Sequence, residues 1–306
     1  MRYIYLTYED AMTDESPLGA SKEAILAFFD EHRPRAFRLA DLRSLLEQQR
    51  AGWKLPSGTS SSKLIAALEE DGSLRLVKLR PEVSSYKPFA RYVWGACTPL
   101  EIASTLKESG YLTHGTAVLL HGLTEQVPRT FYVNYEQTPK PSPTGPLTQE
   151  GITRAFKGKQ RSSRYTFQLD DNRYTILSGK NTERFGVEVI TGPSGEPLRV
   201  TNLERTLVDI VVRPGYAGGL YQVLEAYKAA RDRDVSVSGV LAALRALDYR
   251  YPYHQSIGFL MERAGFSQKG LKRLRGLGCD FDFYLDYGMD TPDFDESWRV
   301  FCPQGF

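Results

Sequence analysis

The chain has 306 residues, of which 41% are hydrophobic, 12% aromatic and 25% charged, with a formal net charge of +2. At ~150 residues per domain the length suggests two domains, and the composition excludes disordered, collagen-like and membrane-bundle proteins. No run approaches the ~18 uncharged apolar residues of a transmembrane helix, and Glu9 and Asp10 interrupt the opening before a secretory signal core forms; a cytoplasmic protein with no membrane partner is expected.

After the polar lead TDESP, Ser21 is placed to cap a first helix with Ile25, Leu26, Phe28 and Phe29 on its apolar stripe. A basic stretch, Arg33, Arg35 and Arg38, leads into a second helix through Leu39, Leu42, Leu45 and Leu46. The linker AGWKLPSG ends it. Thr59, Ser60, Ser61 and Ser62 then offer capping oxygens to a third helix, with Leu64, Ile65 and Leu68 facing inward and Gly72 at its end. Two strand-like runs, LRLVKL and FARYVW, follow around the loop RPEVSSYKP. Three helices and a hairpin are the order of a winged helix-turn-helix, which lays its third helix in the major groove and its hairpin against the backbone or minor groove. Residues 18–95 carry 13 Lys or Arg against 9 Asp or Glu, whereas residues 1–17 hold four acids and one base. The residues expected to meet DNA are Arg35, Arg38, Thr59, Ser60, Ser61, Ser62 and Lys63, together with Arg75, Lys78, Arg80, Lys87 and Arg91 of the hairpin, where Glu82 is the one acid.

A second domain is expected from residue 98, giving a division into 1–97 and 98–306. Thr98 and Glu101 form a capping box with Pro99 at the first helical position. A helix over Thr113–His121 would put His114 and His121 on one face and stops at Gly122. RTFYVNY, YTFQL, RYTILS, FGVEVI and LRVT read as a β meander, interrupted by the Pro-rich turn PKPSPTGP and by a basic run of Arg154, Lys157, Lys159, Arg161 and Arg164 without an acid. That run is a possible second nucleic-acid surface. Thr201 and Glu204 suggest another capping box opening NLERTLVDIVV, in which Arg205 and Asp209 are four apart and can pair. Four more segments, GLYQVLEAYKAA, SVSGVLAALRAL, HQSIGFLMERAG and SQKGLKRLRG, have helical apolar spacing. The end returns to strand: DFDFYLDYG alternates Phe281, Phe283, Leu285 and Tyr287 with polar residues, and WRVFC is its expected neighbour. The fold class is therefore α+β, a winged helix-turn-helix followed by a larger mixed α+β domain.

Catalytic signatures do not appear. Cys97, Cys279 and Cys302 lack the close pairs of metal or redox motifs, His32, His114, His121 and His254 are scattered, and there is no GxGxxG after a strand, no phosphate-cradling GxxxxGK[ST] and no GxSxG elbow. Asp280, Asp282 and Asp286 share a strand face within an acidic run, but such a face is commonly solvated. No enzyme activity, cofactor or metal is expected.

The segments YLTHGTAVLLHGLTEQVPRTFYV, VTNLERTLVDIVVRPGYAGG, YPYHQSIGFLMERAGF and FDFYLDYGM resemble the AbiEi antitoxin family. The resemblance spans nearly the whole chain. It implies a bacterial transcriptional regulator and the antitoxin half of a type IV toxin–antitoxin pair in phage defence, with a nucleotidyltransferase-like toxin as functional partner and no stable complex between them. The expected activity is autoregulatory repression without catalysis, the partner being double-stranded operator DNA of its own promoter, and the protein a monomer in solution or a weak dimer on DNA. The other reading from the residues is a nucleic-acid-modifying enzyme or RNA-binding protein that uses the basic 154–164 segment and second-domain carboxylates.

Overall fold

A computed structural model describes residues 16–141, 145–233 and 235–306; the acidic lead before residue 16 and part of the Pro-rich turn lie outside the described residues. The protein is mixed α+β, with eleven α-helices, a nine-stranded sheet and a three-stranded sheet among the described residues. No helix is long and apolar enough to cross a membrane.

The first elements are α1 (Lys22–Glu31), β1 (Ala36–Phe37), α2 (Leu39–Gln49), α3 (Ser61–Glu70), β2 (Leu74–Pro81) and β3 (Phe89–Trp94). Ser60 caps α3 by accepting from the Lys63 amide at 3.3 Å, leaving the other hydroxyls of the cluster for other contacts. Ser21 stands before α1 without capping it, because its hydroxyl donates instead to the Trp53 carbonyl at 2.6 Å. The hairpin pairs Leu74 with Trp94 through Leu79 with Phe89. β1, too short to be announced by sequence periodicity, pairs antiparallel with β3. Ile25, Phe29, Leu42, Leu46, Leu64, Leu68 and Trp94 close a core between these helices and strands, each fully buried large side chain contributing ~1.5–3 kcal/mol.

The chain continues through α4 (Pro99–Ser104), β4 (Tyr111–Leu112), α5 (His114–Leu120), β5 (Thr130–Glu136), α6 (Gln149–Phe156), β6 (Thr166–Leu169), β7 (Asn172–Gly179), β8 (Val187–Thr191) and β9 (Pro197–Thr201). The expected meander is corrected: the strand order is β1-β3-β2-β6-β7-β5-β4-β9-β8, with β5 parallel to β7 and β4 parallel to β9. Alternation identifies a strand but carries no information about its partner, and α6, unread in the sequence, supplies part of the crossover that makes β5 and β7 parallel. The sheet does not stop between residues 97 and 98. Beyond its hairpin β2 pairs with β6, Arg80 opposite Gln168 and Pro81 opposite Phe167, and Leu79 lies in a second core with Leu100, Phe131, Phe167, Ile176 and Val200.

A third core belongs to the C-terminal helices α7 (Leu203–Val212), α8 (Leu220–Arg231), α9 (Val237–Leu247), α10 (Tyr253–Arg263) and α11 (Gln268–Arg275). Asn202, not Thr201, caps α7, accepting from the Arg205 amide at 3.0 Å. The expected Thr201–Glu204 box does not form, because Thr201 remains the last residue of β9 and its hydroxyl meets that of Thr206. In α10, Gly258 lets the Trp298 indole lie on the helix, where a Cβ would stand 2.1 Å from the ring. The strand expected over 280–287 shortens to β10 (Phe283–Tyr284), parallel to β12 (Val300–Cys302), with β11 (Asp293–Asp295) on the other side. Its flanks are claimed elsewhere: the Gln149 amide bonds both backbone groups of Asp282, and the Tyr287 N–H turns to the Asp286 carboxylate.

Candidate nucleic-acid interface and a polar cleft

Two surfaces gather charge. On the first, the amino end of α3 presents exposed Ser60, Ser62 and Lys63 with Ser61 half-buried, while Thr59 is buried and its carbonyl accepts from Arg50 at 3.1 Å. Arg75, Lys78, Arg80 and Lys87 lie on the hairpin and its loop and are all exposed, Lys78 and Arg80 on one face of β2 and Arg75 on the other. Among the described residues none of these four, nor Lys63, has a carboxylate within 4.0 Å, since Glu82 is held by Arg173 at 2.7 and 2.9 Å in a two-pronged pair. Among the described residues these hairpin charges are left without an ion-pair partner.

Three of the expected contacts are engaged inside the protein. Arg91 is buried, donates to the Thr105 hydroxyl at 2.8 Å and carbonyl at 2.9 Å, and stands over the Phe89 ring. Burial, aided by the nearby Arg38 charge, pulls its guanidinium down to about 10, so Arg91 is removed from the interface as a core residue. Arg38 is clasped by Asp41 at 2.7 Å, and Arg35 donates to the Asp30 carbonyl at 2.9 Å while its backbone N–H meets Glu101. The hairpin tip is also less free than a wing: the Glu82 N–H bonds the Thr166 carbonyl at 2.9 Å and Tyr86 packs edge-on against Tyr165.

The second surface is a cleft of about 650 Å³ between the carboxyl ends of β5 and β7, the start of α5, and the segment after α7. Its floor is a buried network. Arg205 and Asp209, on successive turns of α7, pair at 3.4 Å, and the Arg205 guanidinium also lies 3.8 Å from Glu136. Its remaining donors reach the Tyr111 hydroxyl at 2.6 Å, Thr182 at 3.2 Å and the Phe185 carbonyl. Tyr111 accepts from Asn134 at 2.6 Å and donates to Glu136 at 3.1 Å, while Thr182 bonds Glu136 through both its hydroxyl and its amide. Burial acts against the charge of Arg205, but Asp209 and the other anionic neighbours outweigh it and keep the guanidinium charged. Burial pushes the Asp209 carboxyl up, outweighing the Arg205 charge and the hydrogen bonds from Thr113, Arg205 and Tyr249 that favour its ionised form.

Thr113 donates to Asp209 at 3.3 Å and lies 3.0 Å from His114 Nδ1. A hydroxyl has one proton, so with that proton on the carboxylate, His114 donates from Nδ1 and keeps Nε2 as an acceptor. Burial, with Arg213 and Arg205 nearby, pulls the imidazole down to about 3, and it stays neutral. His114 has φ +50°, uncommon for a residue with a side chain, and Gly115 beside it lets the chain at Tyr216 approach where a Cβ would stand 2.9 Å from the Tyr216 carbonyl. His121 does not share this face; its Nε2 donates to the Thr201 carbonyl at 2.6 Å.

Among the described residues none of the five bases of the basic run forms an ion pair, but Arg161 alone lines the cleft. Arg154 is on α6, and Lys157, Lys159 and Arg164 stand outside the cleft. Asp282 pairs with Arg299 at 2.6 Å, away from that floor. Among the described residues, no group of three or more His, Cys, Asp or Glu could hold a metal ion. Cys302 is buried and the other two thiols are half-buried, and burial raises all three. The ERTLVD segment was legible as a helix with a paired Arg and Asp; that Tyr111, Asn134, Glu136 and Thr182 complete the network was not, because each comes from a distant strand or loop.

In fold the chain is similar to the RV2827C protein from Mycobacterium tuberculosis, whose crystal structure superposes with a TM-score of 0.52 at 14% identity over 92% of this chain and 91% of that one. No protein-family model and no curated protein matches the chain. The likeness extends to the fold.

Proposed function

We propose that the protein is a cytoplasmic DNA-binding transcriptional repressor of the AbiEi antitoxin kind, in which residues 1–97 form a winged helix-turn-helix and residues 98–306 carry the antitoxin function against a nucleotidyltransferase-like toxin. The observation that carries the reading is the element order α1-β1-α2-α3-β2-β3 with strand order β1-β3-β2, together with exposed Ser62 and Lys63 at the α3 amino end and hairpin bases that have no carboxylate within 4.0 Å among the described residues. In such a unit Ser61, Ser62 and Lys63 would approach base edges, while Arg75, Lys78, Arg80 and Lys87 would grip phosphates. Arg91 has no part in it.

Gel shifts with the full chain and its own upstream DNA test the assignment. Ser61→Ala or Lys63→Ala should cost about 1–3 kcal/mol for each base edge no longer read and narrow the gap between operator and random DNA. Lys78→Ala or Arg80→Ala should weaken both DNAs together and flatten the log–log salt slope by roughly 0.9 for each phosphate no longer neutralised. If Ser61 and Lys63 prove neutral while Arg154, Lys157 and Arg161 prove essential, the DNA surface lies in the second half and the reading fails.

A further inference from the structure

The geometry points to the cleft above Arg205 and Asp209 as a binding site for a nucleoside phosphate, with Arg161, Arg213 and Lys140 receiving the phosphates and His114 and Tyr216 forming the wall for the base. The inference goes beyond operator binding and does not depend on it. The charges lining the cleft are five bases and one acid. Asp209 is matched by Arg205 and Lys180 lies 3.4 Å from Asp248, whereas among the described residues Arg161, Arg213 and Lys140 have no carboxylate within 4.0 Å. Arg161 and Lys140, and Arg213 beyond its contact with the Tyr287 hydroxyl at 3.4 Å, therefore face a concave space without an ion-pair partner among the described residues, which favours a compact, multiply charged anion.

The cleft is also built to hold those cations in place. Gln160 accepts from the Gly215 N–H at 3.3 Å, and Tyr216 accepts from the Ser163 N–H at 2.8 Å, so the segment bearing Arg161 is fixed on both sides to the turn that follows Arg213. The Tyr216 ring meets the His114 ring edge-on at 5.4 Å, giving an aromatic surface beside the cations. His114 Nε2 has no hydrogen-bond partner among the described residues, and as an acceptor it suits an amino or hydroxyl group of a nucleoside. A volume of about 650 Å³ lies within the ~300–1,000 Å³ typical of small-ligand sites. Inorganic phosphate alone would leave the aromatic wall uncovered.

Titration calorimetry of the full chain with the four ribonucleoside triphosphates, inorganic phosphate and a short single-stranded RNA tests the site. At least one triphosphate should bind saturably and more tightly than inorganic phosphate. Arg161→Ala should weaken it by about 10–100-fold, the loss expected for one charge-assisted hydrogen bond. Arg164→Ala, three residues on but outside the cleft, should leave it unchanged. Absence of saturable binding by all four triphosphates overturns the inference. So does an equal loss from Arg161→Ala and Arg164→Ala, which would mark a diffuse charged surface, or RNA binding that no triphosphate displaces, which would mark a polymer groove. Gel shifts on the same two variants report separately on operator binding.

Discussion

His114 shows how one residue's surroundings become measurable. Its folded-state proton affinity lies near pH 3 against an ordinary 6.5, with burial as the largest cause. Between those values the unfolded chain takes up a proton that the folded protein refuses, so stability is fully present above about pH 6.5 and falls as pH drops, by up to ~1.4 kcal/mol per unit. His254 and His32, also lowered by burial, act in the same direction, whereas Asp209, raised by burial, acts oppositely at lower pH. Comparing the parent with His114→Asn, whose short side chain tolerates the left-handed backbone, isolates the one group. The variant should lose less stability between about pH 6 and pH 5 in urea titrations; identical slopes would mean that His114 is not held neutral. The sequence displayed His114 and Gly115 plainly but not their surroundings. The His–Thr–Asp contact joins residues 113–114 to residue 209, and no local spacing encodes that.

At the scale of single elements, local chemistry was read best where a side chain answers its own backbone. The Thr98–Glu101 box forms as the spacing implies, Thr98 accepting from the Glu101 amide at 3.2 Å and Glu101 from the Thr98 amide at 2.8 Å. The same carboxylate has a second task that its position in the chain does not disclose: its other oxygen accepts the Arg35 N–H at 2.7 Å. Glu101 therefore starts α4 and fastens the residue before β1. Glu101→Ala should cost about 2–4 kcal/mol, combining a lost cap with an unpartnered amide, whereas Glu108→Ala, at an exposed 3.6 Å contact with Arg38, should cost under about 1 kcal/mol. Urea midpoints decide this, and equal small effects would rule out the second task. Where the reading failed, the missing information was of another kind. Thr201–Glu204 has the spacing of a box, but the pull of β9 on Thr201 moves the cap to Asn202. The two-residue strands β1 and β4 are too short for periodicity to register.

Across the whole molecule, the helix-then-hairpin order and the helical C-terminal half were legible as patterns, while the joining of the strands into one nine-stranded sheet was not. Partner choice depends on which apolar faces meet after the chain has folded. The β2–β6 pairing, the Glu82–Arg173 clasp and the buried Leu79 together cross residues 97 and 98. Hydrogen exchange on the full chain should show the amides of β2, β3, β5 and β7 opening with a common free energy, as one cooperative unit. Exchange of β2 and β3 at a clearly lower free energy than β5 and β7 would show two independent units.

β7 itself has a place at both surfaces. Arg173, near its start, grips Glu82 of the hairpin, and Gly179 at its end lines the cleft, roughly 20 Å away at ~3.3 Å per residue. A strand hydrogen-bonded on both sides to β6 and β5 is stiff along its length. The hairpin clasp and the rim of the cleft are thus the two ends of one paired strand, with no linker between them.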